Sequence, residues 1–206
     1  MKKTALVITS IAHDSHPILN QYAVETQKHG IDFIVMGDTK SPTPFHIKGC
    51  DFYSIERQNE LHFALTKDLP KNHYARKNLG YLIAMKEGME IIIETDDDNI
   101  PLENFWAPRS IDQHANLIEE ADWVNVYKYF SKNHLWPRGF LLDKIHTPLP
   151  PLNALNKTYS PIQQGLADDN PDVDAIYRLT LPLPIQFDDH NPIALGQNTV
   201  CPFNSQ

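Results

Sequence analysis

The amino-acid sequence predicts an α/β fold, a mostly parallel sheet flanked by helices. Two observations carry this. Thr4-Ala5-Leu6-Val7-Ile8-Thr9 and Glu90-Ile91-Ile92-Ile93-Glu94 contain continuous apolar, β-branched runs, the texture of strands covered on both faces. A helical repeat separates the first run from a second one, Ile31 to Met36. Strand, helix, strand in that order implies a parallel pair with a crossover.

The elements follow in order. After the first strand, Asp14-Ser15 with Pro17 signals a helix start. Ile18, Leu19, Tyr22, Ala23 and Thr26 recur at helical spacing, and Gly30 stops that helix. Gly37-Asp38 ends the second strand, and Pro42 and Pro44 mark a loop. Cys50 to Ile55 is a short third strand, and Asn59 to Leu69 is expected to be helical, ending at Pro70. A stronger helix starts at Ala75, with Ala75, Leu79, Leu82 and Ile83 on one face and Gly88 closing it. The isoleucine run is the fourth strand. Ser110 and Gln113 form a capping-box pattern for a helix running to about Ala121. Trp123 to Phe130 alternates in polarity and is expected as a fifth strand. Beyond Trp136 prolines accumulate, and short strands and loops are expected there as a smaller acceptor-side region on the same sheet. The chain of 206 residues suits a single domain over residues 1–206, with halves 1–130 and 131–206.

Composition bounds the function. The formal net charge of -8 argues against a nucleic-acid surface. No apolar run approaches the ~20 residues of a membrane helix. Cys50 and Cys201 lie far apart without metal-type spacing and read as free thiols of a reducing compartment. His13 and His16 have an i,i+3 spacing but no evident companion ligands.

The sharpest chemistry lies in Glu94-Thr95-Asp96-Asp97-Asp98-Asn99. Adjacent carboxylates repel unless a cation offsets them. Their oxygens suit hard ions, Mn²⁺ or Mg²⁺. The run sits at the carboxyl end of a buried strand, where open α/β sheets bind ligands. Asp96, Asp97 and Asp98 are therefore the candidate metal residues. Arg76-Lys77 places two cations at a helix start, against the dipole preference, and a bound anion would relieve that conflict. Asp38 ends a strand where a ribose or base could be held. Trp136-Pro137-Arg138-Gly139 offers Arg138 for an anion or sugar. Asp168-Asp169 and Asp172-Val173-Asp174 form a second acidic cluster. Asp172 and Asp174 would share one side of an extended chain. General base, hydroxyl binder and plain surface loop all remain open for that cluster.

Seven strings together resemble the STELLO family of glycosyltransferases: Gly37-Asp38-Thr39-Lys40-Ser41-Pro42, Arg76-Lys77-Asn78-Leu79-Gly80-Tyr81-Leu82, Glu94 to Asn99, Trp136 to Gly139, Gln163-Gln164-Gly165-Leu166, Pro171 to Thr180 and Pro202 to Gln206. Their order matches and they span nearly the whole chain. The Asp triplet with a later Asp-x-Asp-Ala segment is also similar to the reversibly glycosylated proteins, the UDP-arabinopyranose mutases. The resemblance implies a glycosyltransferase-A-like, Rossmann-like fold and a nucleotide-diphosphate sugar held through a divalent metal at Asp96 and Asp98 with Asp97 close by; a UDP-sugar is the donor expected. The family's plant members are membrane-anchored in the Golgi; this chain shows no such segment, and a cytoplasmic location is the expectation.

These readings combine into a metal-dependent transferase with a carbohydrate or other hydroxyl acceptor. Arg76, Lys77 and Lys40 would assist at the diphosphate, and Asp172 or Asp174 would take the acceptor proton. A nucleotide-sugar mutase and a non-catalytic nucleotide-sugar-binding scaffold are the rivals.

Overall fold

A computed structural model describes residues 2–119, 122–169, 171–180, 184–188, 190–196 and 198–204, with the side chains of 198, 199 and 201–204 left aside. The chain forms two compact units, Met1–Asn99 and Ile100–Gln206, so the division falls earlier than the expected 130/131.

The amino-terminal unit is the α/β body the apolar runs predict. Strands β1 (Thr4–Thr9), β2 (Asp32–Met36), β3 (Cys50–Tyr53) and β4 (Ile91–Glu94) form one sheet in the order β3-β2-β1-β4, and all its pairings are parallel. Ala5 to Ile8 and Phe33 to Met36 are buried, as fits strands covered on both faces. Helix α1 (Pro17–His29) has Pro at its first turn and buries Leu19, Tyr22, Ala23 and Thr26. Gly30 ends it with φ 62°, the left-handed conformation glycine adopts without cost. Helix α3 (Lys77–Lys86) buries Leu79, Gly80, Ile83 and Ala84 against β1 and β2, after a 3₁₀ turn at Tyr74–Arg76.

At Gly80 the helix comes close to the sheet. A Cβ there would lie 2.5 Å from Val7 Cγ1 and 3.1 Å from Met36 Cγ, so only glycine allows this approach.

The helix expected over 59–69 lies earlier. Helix α2 spans Ile55–Asn59, started by Ser54, whose hydroxyl accepts from Arg57 N at 3.3 Å. Only a 3₁₀ turn, Ala64–Lys67, follows it.

The carboxyl-terminal unit has its own sheet, so its strands do not extend the first one as expected. It contains β5 (Asp112–Leu117), β6 (Leu155–Tyr159), β7 (Ile162–Leu166), β8 (Ile193–Leu195) and β9 (Asn198–Asn204) in the order β6-β5-β8-β9-β7. Two expectations exchange places here. The capping-box segment is strand β5, because Ser110 Oγ accepts from Asp112 N in a local turn while residues 112–116 pair antiparallel with β6. The supposed fifth strand ends instead as a single turn, α4 (Tyr127–Phe130). Phe130, Leu135, Leu166, Val173, Ile185 and Ile193 make the core of this unit. Among the described residues no helix is long and apolar enough to cross a membrane.

Candidate functional site

Parallel topology brings the carboxyl ends of β1, β2 and β4 to one edge of the amino-terminal sheet. The acidic run forms a tight turn just beyond β4. Asn99 N donates to Asp96 O at 3.4 Å, and Asn99 Nδ2 donates to Thr95 Oγ1 at 3.0 Å. Tyr22, reaching over from α1, donates its hydroxyl to Asn99 O at 2.8 Å. Burial pushes the Tyr22 phenol up to about 12, with the Thr95 hydrogen bond opposing and Asp96 and Asp98 adding to the rise. Tyr22 therefore remains a neutral donor at ordinary pH.

Lys77 anchors the other side of the turn. Its ammonium donates to Asp96 Oδ1 at 2.7 Å, Glu94 Oε2 at 3.0 Å and Thr95 O at 3.0 Å. Tyr81 donates to the same Glu94 oxygen at 2.8 Å. Desolvation works to lower the Lys77 pKa, but the hydrogen bonds and charges of Asp96 and Glu94 outweigh it and raise the value. An ammonium has three donors, and all three are used, so Lys77 acts on the turn itself rather than as an open phosphate ligand.

The three carboxylates have different surroundings. Asp96 faces Lys77, and Asp97 accepts a hydrogen bond from Ser10 Oγ, at the carboxyl end of β1. Asp98 is exposed and has no hydrogen-bond partner among the described residues. No group of three or more His, Cys, Asp or Glu side chains converges as a metal cage among the described residues. The oxygen donors of Asp97 and Asp98 suit Mg²⁺ or Mn²⁺ in kind, with most of the octahedral shell left for other ligands.

A cleft of about 310 Å³ opens at the ends of β1 and β2, lined in part by Ser10, Asp38, Lys40, His73, Arg76 and Asp97. Of the predicted site residues, the structure thus gathers Asp38, Lys40, Arg76 and Asp97 around one space. Asp38 is held by backbone donors: Thr39 N at 2.7 Å to Oδ1 and His73 N at 3.2 Å to Oδ2. Desolvation raises its pKa, but the backbone N–H groups of Asn72, Thr39 and His73, with Arg76 nearby, prevail and hold it below the usual carboxylate range. Asp38 is a fixed anionic acceptor. Arg76 is 2% exposed, a buried cation in the cleft wall.

In the carboxyl-terminal unit, Pro137 and Val173 pair antiparallel, with Arg138 N donating to Asp172 O at 3.2 Å. The Arg138 guanidinium meets the Asp172 carboxylate at 2.7 Å on an exposed surface. Val173 is buried between Asp172 and Asp174, which fits the expected alternation. Asp174 Oδ1 accepts from Ile176 N at 2.9 Å and Tyr177 N at 3.1 Å, in the turn that leads into the 3₁₀ segment Tyr177–Leu179. Asp168 is a structural residue: it is 7% exposed and accepts from Phe187 N at 2.9 Å. Arg138 belongs to this unit and pairs with Asp172.

Sequence reasoning missed Ser10, Gln58, Tyr22 and Tyr81. Ser10 was within reach, because it follows a buried strand at its carboxyl end. Gln58 gave no signal: it sits among polar neighbours, yet is fully buried.

No protein-family model matches the chain. Among curated proteins it is 29% identical over 199 residues to the probable glycosyltransferase STELLO2 of Arabidopsis thaliana, a match covering 85% of this chain and 26% of that protein. It is 28% identical over 201 residues to the probable glycosyltransferase STELLO1 of the same plant, again with 85% and 26% covered. The chain thus spans about a quarter of the length of these relatives. The parallel four-stranded sheet with its flanking helices is the α/β architecture consistent with a glycosyltransferase-A-like fold. Over most of its length the chain is similar to these probable STELLO glycosyltransferases, and its α/β architecture is consistent with that similarity.

Proposed function

We propose that this chain takes part in transferring a glycosyl group from a nucleotide-diphosphate sugar, a UDP-sugar, to a hydroxyl acceptor. One observation carries the reading: an anionic acceptor, Asp38, a buried cation, Arg76, an exposed cation, Lys40, and one carboxylate of the acidic turn, Asp97, line one cleft at the carboxyl ends of parallel strands. Such an edge is where open α/β sheets hold nucleotides. Asp38 takes a hydrogen bond from the nucleoside, and Arg76 and Lys40 face its phosphates. Lys77 and Tyr22 hold the acidic turn in shape beneath them. Mn²⁺ or Mg²⁺, held by Asp97 and Asp98 together with phosphate oxygens, would supply charge neutralisation for the departing nucleotide. Asp172 or Asp174 is our proposed acceptor of the hydroxyl proton, with Arg138 orienting Asp172.

The test is a thermal-shift screen of nucleotide sugars with and without Mn²⁺, followed by product analysis with and without acceptors. Stabilisation by UDP-sugars and acceptor-dependent release of UDP support the reading. A rearranged nucleotide sugar formed without acceptor indicates a mutase. Binding without turnover indicates a scaffold, and no binding of any nucleotide sugar sinks all three.

A further inference from the structure

Gln58 lies outside every motif that carries the functional reading, yet it joins two residues of the cleft wall, Gly37 and Arg76, to the end of β3. Its side chain is fully buried, with 0% exposed. Nε2 donates to Gly37 O and to Tyr53 O, each at 2.7 Å, tying together the carboxyl ends of β2 and β3. Oε1 accepts from Arg76 Nε at 2.6 Å. The Arg76 guanidinium is further held by Nη1, which donates to Leu69 O at 3.2 Å and Pro70 O at 3.4 Å. Nη2 is buried and has no hydrogen-bond partner among the described residues.

The chemistry of this arrangement is specific. A carboxylate beside a buried guanidinium would form an ion pair and neutralise it. Gln58 and the two backbone carbonyls instead fix the guanidinium through neutral acceptors and leave its charge in place. Among the described residues Arg76 makes no ion pair. A buried charged donor without an acceptor is costly, and an incoming oxygen atom relieves that cost.

We infer that Gln58 is a positioning residue, which holds Arg76 in the cleft wall with its charge intact so that Nη2 receives an oxygen of a bound anion. Gln58 touches no ligand; it acts through Arg76. The nucleotide-sugar reading supplies only the identity of that anion.

The test is a double-mutant cycle with UDP as the probe, read by calorimetry, beside NMR of the Arg76 side chain. In the parent background Gln58→Met weakens UDP binding about tenfold, the loss of one charge-assisted hydrogen bond. In an Arg76→Ala background the same change costs less than about twofold, because the group it positions is gone. Equal losses in both backgrounds would make Gln58 a general structural residue and overturn the inference. The parent protein gives an arm that does not depend on variants folding: the Arg76 Nε–H resonance is protected, and the guanidinium resonances shift on ligand addition. Inorganic pyrophosphate is the second probe. If pyrophosphate shifts Arg76 while UDP does not bind, the nucleotide reading fails and the role of Gln58 stands. If UDP binds and Arg76 does not respond, the role of Gln58 fails and the nucleotide reading stands. If neither probe moves Arg76, the inference is overturned.

Discussion

Lys77 Nζ lies 2.7 Å from Asp96 Oδ1 and 3.0 Å from Glu94 Oε2, so a single ammonium bridges the last residue of β4 and the first carboxylate of the acidic turn. The Lys77 side chain is 11% exposed, whereas Glu94 and Asp96 are 56% and 65% exposed. The cation is sheltered and its partners are wet.

Lys77→Met should therefore destabilise the protein by about 1–2 kcal/mol, below the full value of a buried pair because solvent screens both carboxylates. Urea unfolding checks this. The Lys77 pKa is raised in the folded state, so its contribution is complete at neutral pH and fades only as pH climbs through that raised value. A stability difference between parent and variant that already vanishes near neutrality would contradict the pairing.

Asp38 behaves in the opposite sense. Its folded pKa is held below the usual carboxylate range, so the stability it contributes is present above that range. It is lost as pH falls through the depressed value. Acid unfolding of Asp38→Asn should show a shallower pH dependence than the parent. If the curves superimpose, the backbone donors Thr39 N and His73 N are not holding a charge.

Arg76→Ala should weaken UDP binding by about 1.5–3 kcal/mol while leaving uridine binding nearly unchanged. Calorimetry with both ligands separates the outcomes. Equal weakening would place Arg76 at the nucleoside or point to a folding defect.

Asp98→Asn removes an exposed carboxylate with no structural partner among the described residues. Its fold should be intact, and UDP affinity should no longer respond to Mn²⁺. A metal dependence equal to the parent's would take Asp98 out of the site.

Asp174→Asn retains the amide oxygen that can cap Ile176 N and Tyr177 N, so the turn survives. Transfer should fall by about 10²–10⁴-fold, the usual loss of a general base, with UDP affinity unchanged. Asp172→Asn, which also releases Arg138, is the companion variant. Parent rates in both would identify this segment as a surface loop.

The amino-terminal unit was legible because its signals are local and mutually consistent. Apolar runs marked β1, β2 and β4, Pro17 and Gly30 bounded α1, and the acidic turn fell where parallel topology puts ligands. The carboxyl-terminal unit was not, because its strands answer to distant partners. Residues 112–116 pair with residues 155–159, and no short window near Ser110 and Gln113 reveals that. The same limit applied to the site. Asp38, Arg76 and the Asp triplet stood out as charges at element ends. The use of Lys77 as a clasp and of Gln58 as a support depends on contacts 17 to 19 positions apart in sequence.

Gly80 sits one turn beyond Lys77 on the same helix, pressed against Val7 and Met36. The reach of a lysine is limited, and the seating depth of α3 decides whether its ammonium arrives at Asp96 or falls short. A hydrogen atom in place of a methyl group thus sets the spacing of the charged cluster. Enlarging that one position would lift the helix off β1, and the clasp would open from beneath, with every acidic and basic residue of the turn still in the sequence.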